Sequence, residues 1–225
     1  MNPDTALYES LTETPRQGES PTFWVSSLGH CVRKQVAQRA GIKPEKPIEA
    51  HSLFKMMVGT TVHAFVQKRL LSAGFLDPQY TKVIQTETID ARGRVLMPGD
   101  VQEHRFTYRS YSGKLDGWVK DQQIPFELKT CDDRAVKKPD WPEHYLYQGF
   151  TTCMAMGAEK FMLMQIGTSQ GLNRWNTFPI SNQWKRLVDE EIDKADQAWT
   201  IYKETGQLPE HTHKFSWENR YCPYA

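Results

Sequence analysis

The stretch Gly113-Lys-Leu-Asp-Gly-Trp-Val-Lys-Asp-Gln-Gln-Ile-Pro-Phe-Glu-Leu-Lys-Thr130 decides how the chain is read. Two strand-like runs, Lys114–Lys120 and Ile124–Thr130, flank a turn centred on Asp121-Gln122. Side chains two apart on a strand share a face. Glu127 and Lys129 therefore point one way, while Phe126 and Leu128 point the other way, into a core. Asp116 shares its face with Lys114 and Trp118. An even-length loop sets Asp116 directly opposite Glu127, where paired residues lie ~4.5–5.5 Å apart at Cα. Facing carboxylates repel each other unless a cation sits between them. A hard divalent ion meets that need, held by the two carboxylates, a backbone carbonyl and waters. Lys129, next to the pair, offsets part of the charge. The plain alternative is a solvated ladder of Glu and Lys on an ordinary strand.

Working outward, the pattern predicts a first helix from about Ser26 to Ala40, ended by Gly41 with Pro44 and Pro47 beyond it. A second runs from about Ser52 to Ala73, with Leu53, Met56, Met57, Val62, Phe65, Val66 and Leu70 spaced for one buried stripe. Strand patterns at Val83–Ile89 and Val101–Tyr108 precede the hairpin. Downstream, Pro142 opens a third helix that reaches about Met156. Lys160–Ile166 and Leu172–Phe178 then read as strands. A last helix starts near Ser181 or Asn182 and buries Trp184, Leu187, Val188, Ile192, Ala195, Trp199 and Tyr202 before Gly206 and Pro209. The order implies an α/β fold, a central mixed β-sheet flanked by helices. Residues 1–22 read as a polar arm, 23–208 as one domain, and 209–225 as an aromatic tail (Phe215, Trp217, Tyr221, Tyr224) packing on the first helix.

Twenty-eight Lys and Arg against 27 Asp and Glu leave a formal charge of +1 over 225 residues, which excludes a generally basic nucleic-acid coat. A hydrophobic fraction of 39% is enough for a real core and excludes wholesale disorder. No run approaches the ~18 apolar residues of a membrane span. The opening residues Asn2, Asp4 and Glu9 are polar with no apolar stretch of the signal-peptide type, so an intracellular, cytoplasmic protein is expected. Cys31, Cys131, Cys153 and Cys222 form no C-x-x-C pair and no disulfide framework.

Asp116 followed by Glu127-Leu-Lys129 resembles the core of the PD-(D/E)XK nuclease superfamily. Gly59-Thr-Thr-Val-His63 resembles the G-x-x-x-H motif of its RecB-like branch, and Gln148 that branch's Q-x-x-x-Y-type motif. Ser26-Ser-Leu-Gly-His-Cys31-Val-Arg33 is similar to the opening of the CRISPR-associated RecB-like exonucleases. The resemblance implies a restriction-endonuclease-like core preceded by helices. It also implies a site in which His63, Asp116, Glu127 and the Leu128 carbonyl hold Mg²⁺ or Mn²⁺, with Asp116, Glu127, Lys129 and Gln148 catalytic. An imidazole among oxygen ligands favours Mn²⁺ more than carboxylates alone would. Thr151 or Thr152 stands where the branch has a tyrosine, although Tyr145 and Tyr147 precede Gln148. Relatives of the CRISPR-associated kind hold an iron–sulfur cluster on one N-terminal and three C-terminal cysteines. Here Cys31 and Cys222 match, but Asn219 stands where a ligand cysteine is expected. Two thiolates cannot supply the usual four, so no cluster is expected. Cys31 and Cys222 are instead expected to pack near one another.

Basic residues cluster locally despite the neutral sum. Arg33 and Lys34 on the first helix, and Arg134, Lys137 and Lys138 after the Glu-Leu-Lys strand, suit a phosphodiester backbone, with Tyr147 as an aromatic contact. The expected function is a metal-dependent DNA exonuclease. The alternatives are a structure-specific endonuclease with the same site and a nucleic-acid-binding module with a vestigial one.

Overall fold

The computed structural model describes residues 18–46, 49–90, 95–213, 218 and 222–224. β1 (Phe23–Trp24) leads through a 3-10 turn (Val25–Ser27) to α1 (Val32–Arg39). The single helix expected from Ser26 is therefore divided. Gly29 adopts φ +80, outside the helical region, and a Cβ there would stand 2.6 Å from the Tyr147 ring. Then come α2 (Ala50–Ser72), β2 (Thr81–Val83), β3 (Thr88–Ile89), β4 (Val95–Leu96), β5 (Val101–Tyr108), β6 (Tyr111–Leu115) and β7 (Gly117–Val119). β8 (Ile124–Cys131), α3 (Asp133–Val136), α4 (Glu143–Met156), β9 (Lys160–Gly167), β10 (Asn173–Pro179) and α5 (Asn182–Thr205) complete the order. The run expected as one strand from Val83 to Ile89 belongs partly to β2 and partly to the β3–β4 ladder.

The strands form mixed sheets flanked by helices. One four-stranded sheet has the order β1-β6-β5-β2, with β1 parallel to β6 and the other pairs antiparallel. The other has the order β10-β9-β8-β7, parallel only between β8 and β9. A parallel pair needs a long crossover, and α3 and α4 supply it. The expected strand Lys114–Lys120 is broken at Asp116. Before it, Leu115 pairs with His104 of β5; after it, Gly117 pairs with Phe126 of β8. The β7–β8 register is the expected one, with Trp118 opposite Pro125 and Val119 opposite Ile124. Continued by one residue, it sets Asp116 opposite Glu127.

β8 is covered on both faces. Phe126 and Leu128 join Leu76, Val119, Ile124, Met162 and Ile166 in an apolar cluster beneath Val62, Val66 and Leu70 of α2. The other cluster joins Phe23, Leu28, Val36, Tyr111 and Leu115 to Phe150 of α4, Phe161 and Leu163 of β9, and Val188 and Ile192 of α5. The apolar stripe expected along the whole of α2 is only partly covered: Val62, Val66 and Leu70 pack against the cluster under the helix, while Met56 is 59% and Phe65 57% exposed. Gly59 already lies against Thr130, one residue from the end of β8, so the turns before it run past the strand.

A methyl group at Gly149 would overlap the fully buried Phe161 ring, which closes α4 onto β9. Gly to Ala ordinarily stabilises a helix interior by roughly 1 kcal/mol. At this position overpacking reverses the sign. Gly149→Ala is expected to lower stability by about 1–3 kcal/mol, read as a lower urea midpoint.

Candidate active site

At Asp116 the chain leaves one sheet for the other. The β5–β6 ladder ends on His104 and Leu115, so one further step sets Glu103 opposite Asp116, just as the β7–β8 ladder sets Glu127 opposite it. Three carboxylates thus converge where the ladders part. Asp116 is 8% exposed, and its Oδ2 accepts the Leu128 N–H at 2.8 Å. Its carbonyl oxygen accepts from Gln67 Nε2 at 2.8 Å and from Thr81 Oγ1 at 3.2 Å. Glu127 is only 2% exposed, and among the described residues its Oε2 has no hydrogen-bond partner. The Lys129 ammonium lies 2.5 Å from Glu127 Oε1 as an ion pair, while its hydrogen bond goes to Gln148 Oε1 at 2.7 Å.

α2 brings the imidazole. Gly59 lets the helix approach β8 so closely that a Cβ would stand 2.8 Å from Thr130 Oγ1. One turn later His63 Nε2 lies 3.2 Å from Asp116 Oδ2, and its Nδ1 lies 3.1 Å from Gln67 Oε1. The network assigns the tautomer. Gln67 Nε2 faces two acceptors, Glu103 Oε1 at 2.9 Å and the Asp116 carbonyl, so its Oε1 must face His63 and accept Nδ1–H. The other ring nitrogen, Nε2, is thereby directed at the carboxylates, as in a metal-ligating histidine oriented by an outer partner. One ligand atom each from His63, Glu103 and Asp116 lies within 4.8 Å of the others.

The electrostatics follow from burying like charges together. Desolvation alone would raise the Asp116 carboxyl, but His63, Lys129 and the Leu128 N–H outweigh it and hold its pKa below the ordinary value. Glu127 moves the opposite way: burial first, then the Asp116 carboxylate, push it up, and Lys129 offsets only part. Burial opposes charging of His63, yet Asp116, Glu103 and Glu127 raise it to about 9. Lys129 is likewise raised against desolvation by Glu127 and Asp116. The pocket is short of positive charge, and its own side chains retain protons to supply it. These donors fit a divalent cation: two or three carboxylates, an imidazole aimed at them, and a buried Glu127 oxygen, Oε2, without a partner among the described residues.

α4 closes the other side. Gln148 reaches Lys129, and the Tyr145 ring centroid lies 5.5 Å from the Lys129 ammonium. The threonines in the expected tyrosine position are buried and turn back on the helix, Thr151 donating to the Tyr147 carbonyl and Thr152 to that of Gln148. Tyr147 is not a nucleic-acid contact: it is 3% exposed and packs edge-on to Trp184 in the core. Three residues on, Phe150 is buried in the same cluster, so this face of α4 turns inward. Of the two tyrosines before Gln148, the one beside the site is Tyr145.

The basic residues differ in what they do. Arg33 donates to the carbonyls of Tyr224 and Pro209, each at 3.1 Å, and so ties down the C-terminal segment. Lys34 is half-buried on α1. Arg134 pairs with Asp132, while Lys137 and Lys138 are exposed just after α3, which itself follows β8. Cys222 packs with Ala37 and Tyr224, not against Cys31, which lies beside Thr212 and His211. Phe215, Trp217, Asn219 and Tyr221 lie outside the described residues.

Gln67 and Glu103 escaped the sequence reading. The spacing of Gln67 from His63, four residues along one helix, was the available signal for the first. The β5–β6 hairpin register was the signal for the second.

No family model matches the sequence, and no curated protein matches it. Among solved structures, SSO0001 is similar with a TM-score of 0.50 at 17% identity, over 97% of this chain and 90% of that one. The alkaline exonuclease LHK-Exo from Laribacter hongkongensis gives a TM-score of 0.48 at 12% identity, over 90% of this chain and 97% of that one. The same exonuclease in complex with dAMP gives 0.46 at 11% identity, over 79% and 85%. At 17% identity the likeness to SSO0001 is one of fold alone.

Gln67 is 1% exposed and satisfies three groups at once. Replacing it by leucine takes from the Asp116 carbonyl one of its two donors, from Glu103 Oε1 its amide donor and from His63 Nδ1 its acceptor. Gln67→Leu is expected to lower stability by about 1–3 kcal/mol in urea denaturation with a chelator present. An unchanged midpoint would mean that the network does not hold the site together.

Proposed function

We propose that this chain is a divalent-metal-dependent nuclease that hydrolyses DNA phosphodiester bonds, working from strand ends. The observation that carries this reading is Glu127, a buried carboxylate set against Asp116, whose Oε1 is paired with Lys129 and whose Oε2 has no hydrogen-bond partner among the described residues. Removing charges from water costs several kcal/mol per ion unless an opposite charge compensates, as an order of magnitude. His63, Asp116, Glu127 and the Leu128 carbonyl would hold Mg²⁺ or Mn²⁺, with Glu103 within reach of the same position. When bound, such an ion lowers the pKa of a coordinated water and polarises a phosphoryl oxygen.

The chain's own residues supply the rest. The Leu128 N–H and the Gln67 amide fix Asp116 and His63 before substrate arrives, so no reorganisation is needed during reaction. Lys129 keeps its proton and is held between Glu127 and Gln148. From there it offers a charged donor to the negative charge that develops on the phosphate. Tyr145, against Lys129, provides an aromatic surface for a base or sugar at the strand end. Arg134, Lys137 and Lys138, just beyond the strand that carries Glu127 and Lys129, would track the backbone. The preference for ends rests on the resemblance to the RecB-like exonucleases.

End-labelled linear DNA, single- and double-stranded, and a covalently closed circle test this with Mg²⁺, with Mn²⁺ and with a chelator. The parent protein is expected to degrade the linear substrates only with metal and to leave the circle intact. Lys129→Ala is expected to lower the rate by about 10²–10³-fold, and Glu127→Ala to abolish metal-dependent cleavage. Cutting of the closed circle would assign an endonuclease. DNA binding without cleavage under any condition would assign a binding module. Equal degradation by parent and variants would move the active site elsewhere.

A further inference from the structure

A second group of metal-ligating side chains lies away from the carboxylates. Cys31, at the N-cap of α1, is 1% exposed. His211 and His213 belong to the segment that follows α5, and one ligand atom from each of the three lies within 4.8 Å of the others. Cys31 Sγ is 4.0 Å from His211 Nδ1, and the two imidazole rings lie 4.6 Å apart at their centroids, inclined by 31°. Tetrahedral zinc with bonds of about 2.0–2.3 Å has ligand-to-ligand edges of roughly 3.5 Å, so only small side-chain shifts separate this arrangement from a bound one.

Two further features point to a ligand. His213 Nε2 is buried and, among the described residues, has no hydrogen-bond partner. The Thr212 N–H is aimed at Cys31 Sγ at 3.4 Å, the kind of outer contact that steadies a metal-bound thiolate. The segment is also well placed to stay there. Thr212 Oγ1 accepts the Val32 N–H at 3.1 Å, and Arg33 donates to the Pro209 carbonyl at 3.1 Å.

We propose that Cys31, His211 and His213 form a zinc site that fastens the segment after α5 to the start of α1. One thiolate and two imidazoles are a nitrogen–sulfur donor set suited to Zn²⁺, whereas Mg²⁺ prefers oxygen. Binding displaces the thiol proton to solvent as the sulfur–zinc bond forms. Three protein ligands leave one position of the tetrahedron for water. Because zinc is not redox-active, the site needs no oxidant or reductant. The donor chemistry separates the two centres: oxygen-rich at Asp116 and Glu127, nitrogen and sulfur here.

The test uses the full chain carrying Glu127→Ala, which weakens the carboxylate cluster. His63, Glu103 and Asp116, which remain there, include no sulfur, so a sulfur-to-metal band reports the second group alone. Stripped of metal and titrated with Co²⁺ as a spectroscopic substitute, it is expected to show a sulfur-to-metal charge-transfer band and the visible bands of tetrahedral cobalt. One equivalent of Zn²⁺ should bleach both. Cys31→Ser should lose the charge-transfer band, and His211→Ala or His213→Ala should lose the tetrahedral spectrum. Zn²⁺ should raise the melting temperature of the Glu127→Ala protein but not that of the Cys31→Ser version. Circular dichroism establishes that each variant folds, and the cobalt spectrum of the Glu127→Ala protein decides the matter even if one does not. Absence of the charge-transfer band in that protein, or zinc binding unchanged by all three substitutions, would overturn the site. Neither result depends on whether the chain cleaves DNA.

Discussion

A strand cannot keep its ladder with β5 and with β8 along the same length, because the two belong to different sheets. The chain changes partner at Asp116, and the rest of the site depends on that change. The residue at the changeover has backbone groups that neither ladder satisfies. Its carbonyl takes hydrogen bonds from Gln67 and Thr81, and its carboxylate takes the N–H of Leu128. Those contacts lock together α2, β2 and β8. The same junction brings Glu103 and Glu127 to Asp116 from two different ladders, so the place where the sheets part is also where negative charge accumulates.

Such an accumulation of like charge is destabilising, and the structure contains what limits the damage. His63 and Lys129 are held in their charged forms by the carboxylates around them, against the desolvation that would neutralise them. Glu127 is pushed toward its neutral form instead. The scaffold that tolerates this is apolar on one face of β8, with Phe126 and Leu128 under α2, while Leu163 of the neighbouring strand joins the second core. Two close approaches set the helices. Gly59 seats α2 on Thr130, and Gly149 seats α4 on Phe161. Each delivers a side chain to the same charged pocket from an opposite side, His63 from α2 and Gln148 from α4.

How much was legible in the sequence follows the range of the interactions. The hairpin register between β7 and β8 was readable because turn and alternation are local, and it put Asp116 against Glu127. Gly59 and His63 were readable as a one-turn pair on a helix. The division of the first helix was not, because Gly29 is fixed at positive φ by a ring, Tyr147, more than a hundred residues away. Tyr147 itself was assigned to nucleic acid because the periodicity around Gln148 does not say which neighbouring face turns inward. On α2 the apolar spacing suited burial along its whole length, but the sheet beneath it ends near Thr130 and leaves Met56 exposed, and Phe65 is exposed although Val62 and Val66 beside it pack on the cluster.

The sequence by itself determined the carboxylate pair, the lysine beside it and the order of helices and strands. A strand's two-residue period and a helix's turn are properties of neighbouring residues. Only the tertiary structure decided that Glu103 joins the pair, that Gln67 sets the tautomer of His63, and that Tyr145 is the aromatic residue beside Lys129. It alone placed the His211–His213 segment against Cys31, about 180 positions away in the chain. These are meetings between elements distant in sequence. They are set by which apolar faces pack and by where buried polar groups find partners, and no local pattern carries that information.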